Sequence, residues 1–283
     1  MEAHRRNETI TRYRPPGIIP LELWDLRVND RILWEMMQAE EFPEVLGQVI
    51  RDLRHGIGET RSEGLVPKII QGFDSLYVSG GRSQEMLIRS ALFALDLPVI
   101  FTSTPEHPGQ EQAPRLLASF GTGWLCDLGQ TSLKICAANG RMKFRRDFQR
   151  LPVREEKPDE SFHDQRRQLR GWLGESLRAF LSKAGAPDAI VFAMPSRLDD
   201  AAVPEGSSYI GMAGDDSLIL DALNAADLAP SDVLVMNDAE LAAMDAVAES
   251  GLQGCSKTLV ITLGFGLGAA LAIRSPLKGT GHA

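Results

Sequence analysis

Cysteine is scarce in this chain: Cys126, Cys136 and Cys255 are the only three in 283 residues. An odd number in isolated positions excludes a disulfide framework and a cysteine-ligated zinc site. Cys126 and Cys136, set in apolar strand-like stretches, read as small core residues. No run approaches the roughly 20 uninterrupted apolar residues that cross a bilayer, so no membrane partner is expected. The opening Met-Glu-Ala-His-Arg-Arg-Asn has no apolar stretch behind its positive charges, which argues against a secretory signal and for a cytoplasmic location. Positive charge is not in excess either. The net charge of −8 argues against a nucleic-acid partner. Arg5, Arg6, Arg12 and Arg14 form a short basic arm that reads as a solvated, frayed terminus. Tandem repeats, low-complexity linkers and a GxxxxGK[ST] phosphate loop are missing as well.

What is present is the balance of a folded globular protein, 43% apolar and 24% charged. The length allows one large domain or two lobes, with two favoured. Residues 29–41 (NDRILWEMMQAEE) and 43–56 (PEVLGQVIRDLRHG) read as amphipathic helices, the second opened by Pro43. Residues 74–79 read as a buried strand ending at Gly80-Gly81, and 83–95 as a helix capped by Ser83. A short strand over 98–102 and a helix over 112–119 follow. Trp124 to Asp127 ends a further strand, Gly129-Gln130 is a turn, and Thr131 to Ala137 returns with Leu133 and Ile135 alternating against polar neighbours. The charged stretch 154–160 reads as a solvated loop. A helix carrying Leu169, Trp172, Leu173, Leu177 and Phe180 at helical spacing ends at Gly185-Ala186-Pro187. Strands at 188–194, 232–236 and 258–263 alternate with helices at 216–226 and 238–249, so the class is α/β.

Two segments carry chemistry. The stretch CDLGQTSLKI (126–135) places a carboxylate, a glycine, a hydroxyl and a lysine on one hairpin. Gly129 lets backbone N–H groups approach phosphate oxygens, and Asp127 can hold a hydrated Mg²⁺. By itself the same stretch also reads as an ordinary β-hairpin with Asp-Leu-Gly as its turn chemistry, and Lys134 as an exposed residue of the returning strand. Asn237-Asp238-Ala239 stands where the buried strand VLVM hands over to a helix, at the carboxyl edge where α/β sheets bind ligands. Asp238 there can accept the proton of a substrate hydroxyl, or it can simply cap its helix. Gly264, Gly266 and Gly268 can line a second phosphate turn. They do not meet the dinucleotide fingerprint, whose third glycine falls at Ala269.

Taken in order, DLGQTSLK (127–134), NDAELAA (237–243) and LGFGLG (263–268) resemble the phosphate-1, catalytic and phosphate-2 segments of the ROK sugar kinases, in the superfamily of actin, hexokinase and the heat-shock ATPases. AMPSRLD (193–199) is similar in position to the family's Pro-Gly-Pro-Val-Asp loop. LYVSGGRS (76–83) resembles the superfamily's adenosine motif, and GQEQAPRLL (109–117) its connecting helix. In the family these last two close the chain, whereas here they come first, which implies a circular permutation. The resemblance covers residues 70–283.

The resemblance implies two ribonuclease-H-like lobes of the actin-like ATPase fold, residues 118–237 carrying phosphate-1 and residues 1–117 plus 238–283 carrying adenosine and phosphate-2, with ATP in the cleft between them. It implies Asp127 for Mg²⁺ through water, Gly129 and Thr131 for the β and γ phosphates with Gly264 and Gly266 opposite, and Gly80 and Gly81 behind the adenosine. It further implies Asp238 as the base, with Asn237 beside it at the acceptor hydroxyl. The implied activity is ATP-dependent phosphoryl transfer to a hexose or related polyol, with a homodimer as an open assembly state. Several departures keep a second reading open, a nucleotide-binding scaffold or regulator without sugar kinase activity. The family's cysteine-rich zinc loop is absent, Glu240 replaces the second Asn of Asn-Asp-Ala-Asn, and Pro195-Ser196-Arg197 replaces Pro-Gly-Pro. The terminal Gly281-His282 is only faintly similar to the family's Gly-Glu-Ile-Gly-His loop.

Overall fold

The structure, a computed structural model, describes residues 10–21, 23, 26–28, 31–56, 59–60, 71–102, 122–153, 162–264 and 266–274. The helix expected over 112–119, the similar segment 109–117, the loop over 154–160 and His282 lie outside the described residues. Along the chain come β1 (Ile10–Arg12), β2 (Ile18–Leu21), β3 (Leu26–Val28), β4 (Arg31–Ile32), α1 (Leu33–Met36), α2 (Phe42–Arg54), β5 (Glu59–Thr60), β6 (Ser75–Ser79), α3 (Met86–Phe93) and β7 (Val99–Phe101). They continue with β8 (Gly123–Leu128), β9 (Ser132–Ala137), β10 (Gly140–Arg145), α4 (Phe162–Ala184), β11 (Ala189–Met194), α5 (Leu218–Ala225), β12 (Asp232–Asn237), α6 (Asp238–Ala248), β13 (Lys257–Leu263) and β14 (Leu267–Ile273). The protein is α/β with two larger mixed sheets. No helix among the described residues is long and apolar enough to cross a membrane.

The chain divides into two compact units, Met1–Arg14 with Gly109–Leu241, and Pro15–Pro108 with Ala242–Ala283. The division expected from sequence placed 1–117 together; instead β1 hydrogen-bonds in parallel to β12, so Ile10–Arg12 join the sheet of the first unit.

In the first unit the sheet runs β1-β12-β11-β8-β9-β10. β8, β11, β12 and β1 are parallel, with Ala193 beside Asp127 and Met194 beside Asn237, and β9 is antiparallel to both β8 and β10. Parallel neighbours need crossover connections, which α4 and α5 supply. The apolar stripe of α4 is buried from Leu169 to Phe180, and Gly185, at a φ of 76°, lets the chain leave the helix. Trp124, Cys126 and Leu128 alternate along β8 onto this core, where the Trp124 ring meets Phe180 edge-on at 4.9 Å. Alternation turns Asp127 to the other face of the sheet.

In the second unit the sheet runs β2-β14-β13-β6-β7, with β13, β6 and β7 parallel and β14 antiparallel to β13 and β2. A small antiparallel sheet, β4-β3-β5, belongs to the same unit. α2 buries Phe42, Leu46, Val49, Ile50 and Leu53, which pack with Ile88 and Leu92 of α3 on Leu76, Val78, Leu259, Ile261 and Leu263. Counted from β8, the first sheet has the order third, second, first, fourth, fifth, with β1 added outside the fifth strand. Counted from β13 and continuing into β2, β6 and β7, the second sheet has the same order and the same strand directions.

One expectation needs correction. The helix expected over 29–41 is only the single turn of α1, residues 31–32 pairing as β4 with β3; Leu33 and Met36 of that turn and the adjoining Met37 are buried. The Gly264–Gly266 segment is the connection of a β-hairpin, with Leu263 facing Leu267 and the Gly264 N–H donating to Gly266 O at 3.0 Å, and the strand β14 follows it.

Candidate functional site

Asp127 ends a run of buried strand residues and Asp238 opens the helix after β12, so both stand at the carboxyl edge of the first unit's parallel strands. One strand, β11, separates them, which sets their backbones about 10 Å apart at the usual strand spacing. Asp127 is buried, and its Oδ2 accepts from Lys134 Nζ at 2.9 Å across the β8–β9 pair. Lys134 is therefore a partner of the carboxylate, 15% exposed, and not the solvated residue the sequence suggested. Burial pushes the Asp238 carboxyl up from 3.8 to about 7, and the charge of Asp127 adds to the rise. The N–H groups of Ala239 and of Asp238 itself, with Lys134, pull the other way.

The turn between β8 and β9 is held from below. The Gly129 N–H donates to Ser132 O at 2.9 Å, and so is already engaged within the hairpin; exposed Thr131 sits at the tip. A Cβ on Gly129 would meet only Ser132 O, at 3.5 Å, so glycine is not required there by the fold. Arg146, 4% exposed, fixes the turn: its backbone N–H donates to Thr131 O at 2.9 Å and its Nη1 to Gln130 O at 2.9 Å. The remaining guanidinium bonds go to Leu151 O, Pro152 O and Ser208, and the group lies 3.9 Å from the centre of the Tyr209 ring. The Tyr209 hydroxyl donates to Gly129 O at 2.8 Å, and burial raises its pKa. Neither residue is flagged by any local sequence pattern, since the carbonyls that satisfy Arg146 come from three separate places in the chain.

At the start of α6 the capping belongs to Asn237. Its Oδ1 accepts the Ala239 N–H at 2.8 Å and its Nδ2 donates to Ser196 O at 2.9 Å. Glu240 completes a capping box by accepting the Asn237 N–H at 2.8 Å. Arg12 Nη2 lies 2.8 and 2.7 Å from the two oxygens of Glu240, whose side chain is fully buried. The expectation of a frayed basic arm therefore fails at Arg12, where a strand pairing and a buried ion pair fix the residue. The Glu240 carboxylate is spent inside the protein, and most of the Asn237 amide is too.

In the second unit, Gly80 has a φ of 91°, and a Cβ there would fall 2.3 Å from Leu263 O. Close approach of two backbones is reason enough for this glycine. Gly81 and Gly264 differ, for a Cβ on either meets nothing within 4 Å. Ser79, just before them, is fully buried with an unpartnered hydroxyl.

Among the described residues no group of three or more His, Cys, Asp or Glu is gathered to hold a metal ion. The donors at Asp127 fit a cation held by one carboxylate, water and ligand oxygens, which is how Mg²⁺ commonly sits beside phosphates. No protein-family model matches the chain, and no curated protein matches it.

Proposed function

We propose that this protein transfers a phosphoryl group from Mg-ATP to a hydroxyl of a hexose or related polyol, on a circularly permuted actin-like ATPase fold. The observation that carries the reading is Asp238. It is a sheet-edge carboxyl raised to about 7, its helix is capped by its neighbour Asn237, and it shares its edge with Asp127. A base poised near the working pH suits removal of a hydroxyl proton. Two sheets with one shared strand order, the second closing only when the C-terminal hairpin is continued into the N-terminal strands, support a repeated ribonuclease-H-like lobe and a permuted chain.

Bound Mg-ATP would supply the transferable phosphoryl group. In the first unit Asp127 would hold the metal through water, with Lys134 at its other side as a fixed positive charge, and the Gln130–Thr131 tip would meet phosphate oxygens while Arg146 and Tyr209 keep it rigid. Gly129 contributes space more than a donor, its N–H being engaged. In the second unit Gly81 and the Gly264–Gly266 turn are the backbone surfaces open to a nucleotide; Gly80 holds their geometry. Asp238 would accept the acceptor's proton on its carboxylate.

The scaffold reading is favoured by one observation, the engagement of Asn237 and Glu240 within the protein at two positions where the similar family meets its sugar. One experiment separates the two readings. ADP release is measured across a panel of hexoses, amino sugars and polyols with the parent, Asp238→Asn and Gly129→Ala. For a kinase, some acceptor stimulates release, Asp238→Asn lowers the rate by roughly 10² to 10⁴-fold at unchanged ATP affinity, and Gly129→Ala weakens ATP binding without loss of stability. Tight Mg-ATP binding with no stimulation by any acceptor would establish the scaffold instead.

A further inference from the structure

We infer that Arg12, acting through Glu240, is a positioning residue for the Asp238 carboxyl, which makes the N-terminal strand β1 part of the site. The inference rests on the reading of Asp238 as the base.

β1 is three residues long and lies at the edge of its sheet, a placement that by itself stabilises little. Its last residue, however, is nine-tenths buried and aimed at the first turn of α6. Arg12 bonds both oxygens of Glu240 and reaches the carbonyls of Tyr13 and Val235, while the Tyr13 N–H donates to Val235 O at 2.8 Å. Glu240 in turn fixes the Asn237 N–H, and Asn237 fixes the Ala239 N–H. Asp238 lies between the two amides held by these bonds, so the backbone that aims its side chain is fixed on both sides, on one of them through the Glu240 that Arg12 holds. Removing the guanidinium leaves a fully buried carboxylate without its cation. Such a group either takes up a proton or moves toward water. In both cases the bond to the Asn237 N–H weakens and the first turn of α6 loosens around Asp238.

A role limited to fold stability would lower the melting temperature of an Arg12 variant and leave the folded site unchanged, so the test reads the folded state directly. Full-length protein is labelled for NMR, and the three-bond couplings from backbone N and C′ to the Asp238 Cγ are measured in the parent, Arg12→Met and Arg12→Lys, with hydrogen exchange at the Asn237 and Ala239 amides. The expected result is one Asp238 rotamer in the parent, averaged couplings and about tenfold faster exchange at both amides in Arg12→Met, and partial recovery in Arg12→Lys. Parent-like couplings and exchange in a folded Arg12→Met overturn the inference. If that variant does not fold, Arg12→Lys and Glu240→Gln are judged by the same criterion. The readout needs no turnover. Loss of the Asp238 rotamer in a protein that phosphorylates no acceptor would therefore uphold the positioning while the kinase reading fell, and a kinase whose Asp238 ignores Arg12 would do the reverse.

Discussion

At the scale of single residues, the site combines a carboxyl that the fold holds at a cost with others that it satisfies. Asp238 is the strained member. Its folded pKa of about 7 lies above the ordinary 3.8, so between these values the folded state binds a proton that the unfolded chain has released, and stability falls as pH rises through that window. Above about 7 both states are ionised and the deficit is constant. Asp238→Asn removes the titration, so its melting temperature should gain on the parent's progressively from pH 4 to pH 7 and then level off. Thermal denaturation at pH 5 and pH 8 checks this, and an equal difference at both values would show that Asp238 is not raised in the folded protein. The placement of Asp127 and Asp238 near the carboxyl ends of buried strands was legible in the sequence, from the apolar run that precedes each. Arg12 and Arg146 were not, because what buries an arginine is a set of carbonyl and carboxylate oxygens assembled only on folding, among them Glu240, which is 228 positions from Arg12.

At the scale of elements, helices with long amphipathic stripes were readable, as was the short β7, but three other strands were not. The stripe of α4 spells its own helix, whereas β1, β2 and β10 are three, four and six residues without a run of buried side chains. β14, rich in alanine and glycine, takes its conformation from pairing on both sides with β13 and β2. At the Gly80–Gly81 corner after β6 the fold requires one glycine and leaves the other unconstrained. Gly80→Ala would put a methyl group into the Leu263 backbone at a φ of 91° and should lower unfolding stability by at least about 2 kcal/mol. Gly81→Ala meets open space and should leave stability within about 0.5 kcal/mol. Denaturant titration of the two variants checks the pair; equal losses would mean that the close approach of β6 to the end of β13 is not what fixes Gly80. Of the two, only Gly81→Ala is then a clean probe for nucleotide binding.

At the scale of the whole molecule, two sheets of one order are cut differently by the chain. The ends to be rejoined are neighbours, since Ile273 N–H donates to Gly17 O at 2.7 Å where β14 meets β2. A chain reordered to run from residue 110 to Ala283 and on from Met1 to residue 109 keeps β1 and Arg12, and should fold with the same strand order and unfold cooperatively. Circular dichroism and denaturant unfolding test it, and a reordered chain that stays unfolded would count against the permuted reading. The strand order that the two sheets share was not legible in the sequence, because it is a property of backbone pairing between strands far apart in the chain. The β10 rim of the first sheet carries a further consequence. Among the described residues β10 has no strand outside it, and its outward positions are Arg141, Lys143 and Arg145 in alternation with half-buried Gly140, Met142 and Phe144. A second chain offering its own strand to this rim would have to bring its backbone alongside three like charges, or pair the same strand in register and double them. Among the described residues this rim is thereby a poor template for a further strand, and the Lys183 ammonium already occupies the Arg141 carbonyl at 3.0 Å.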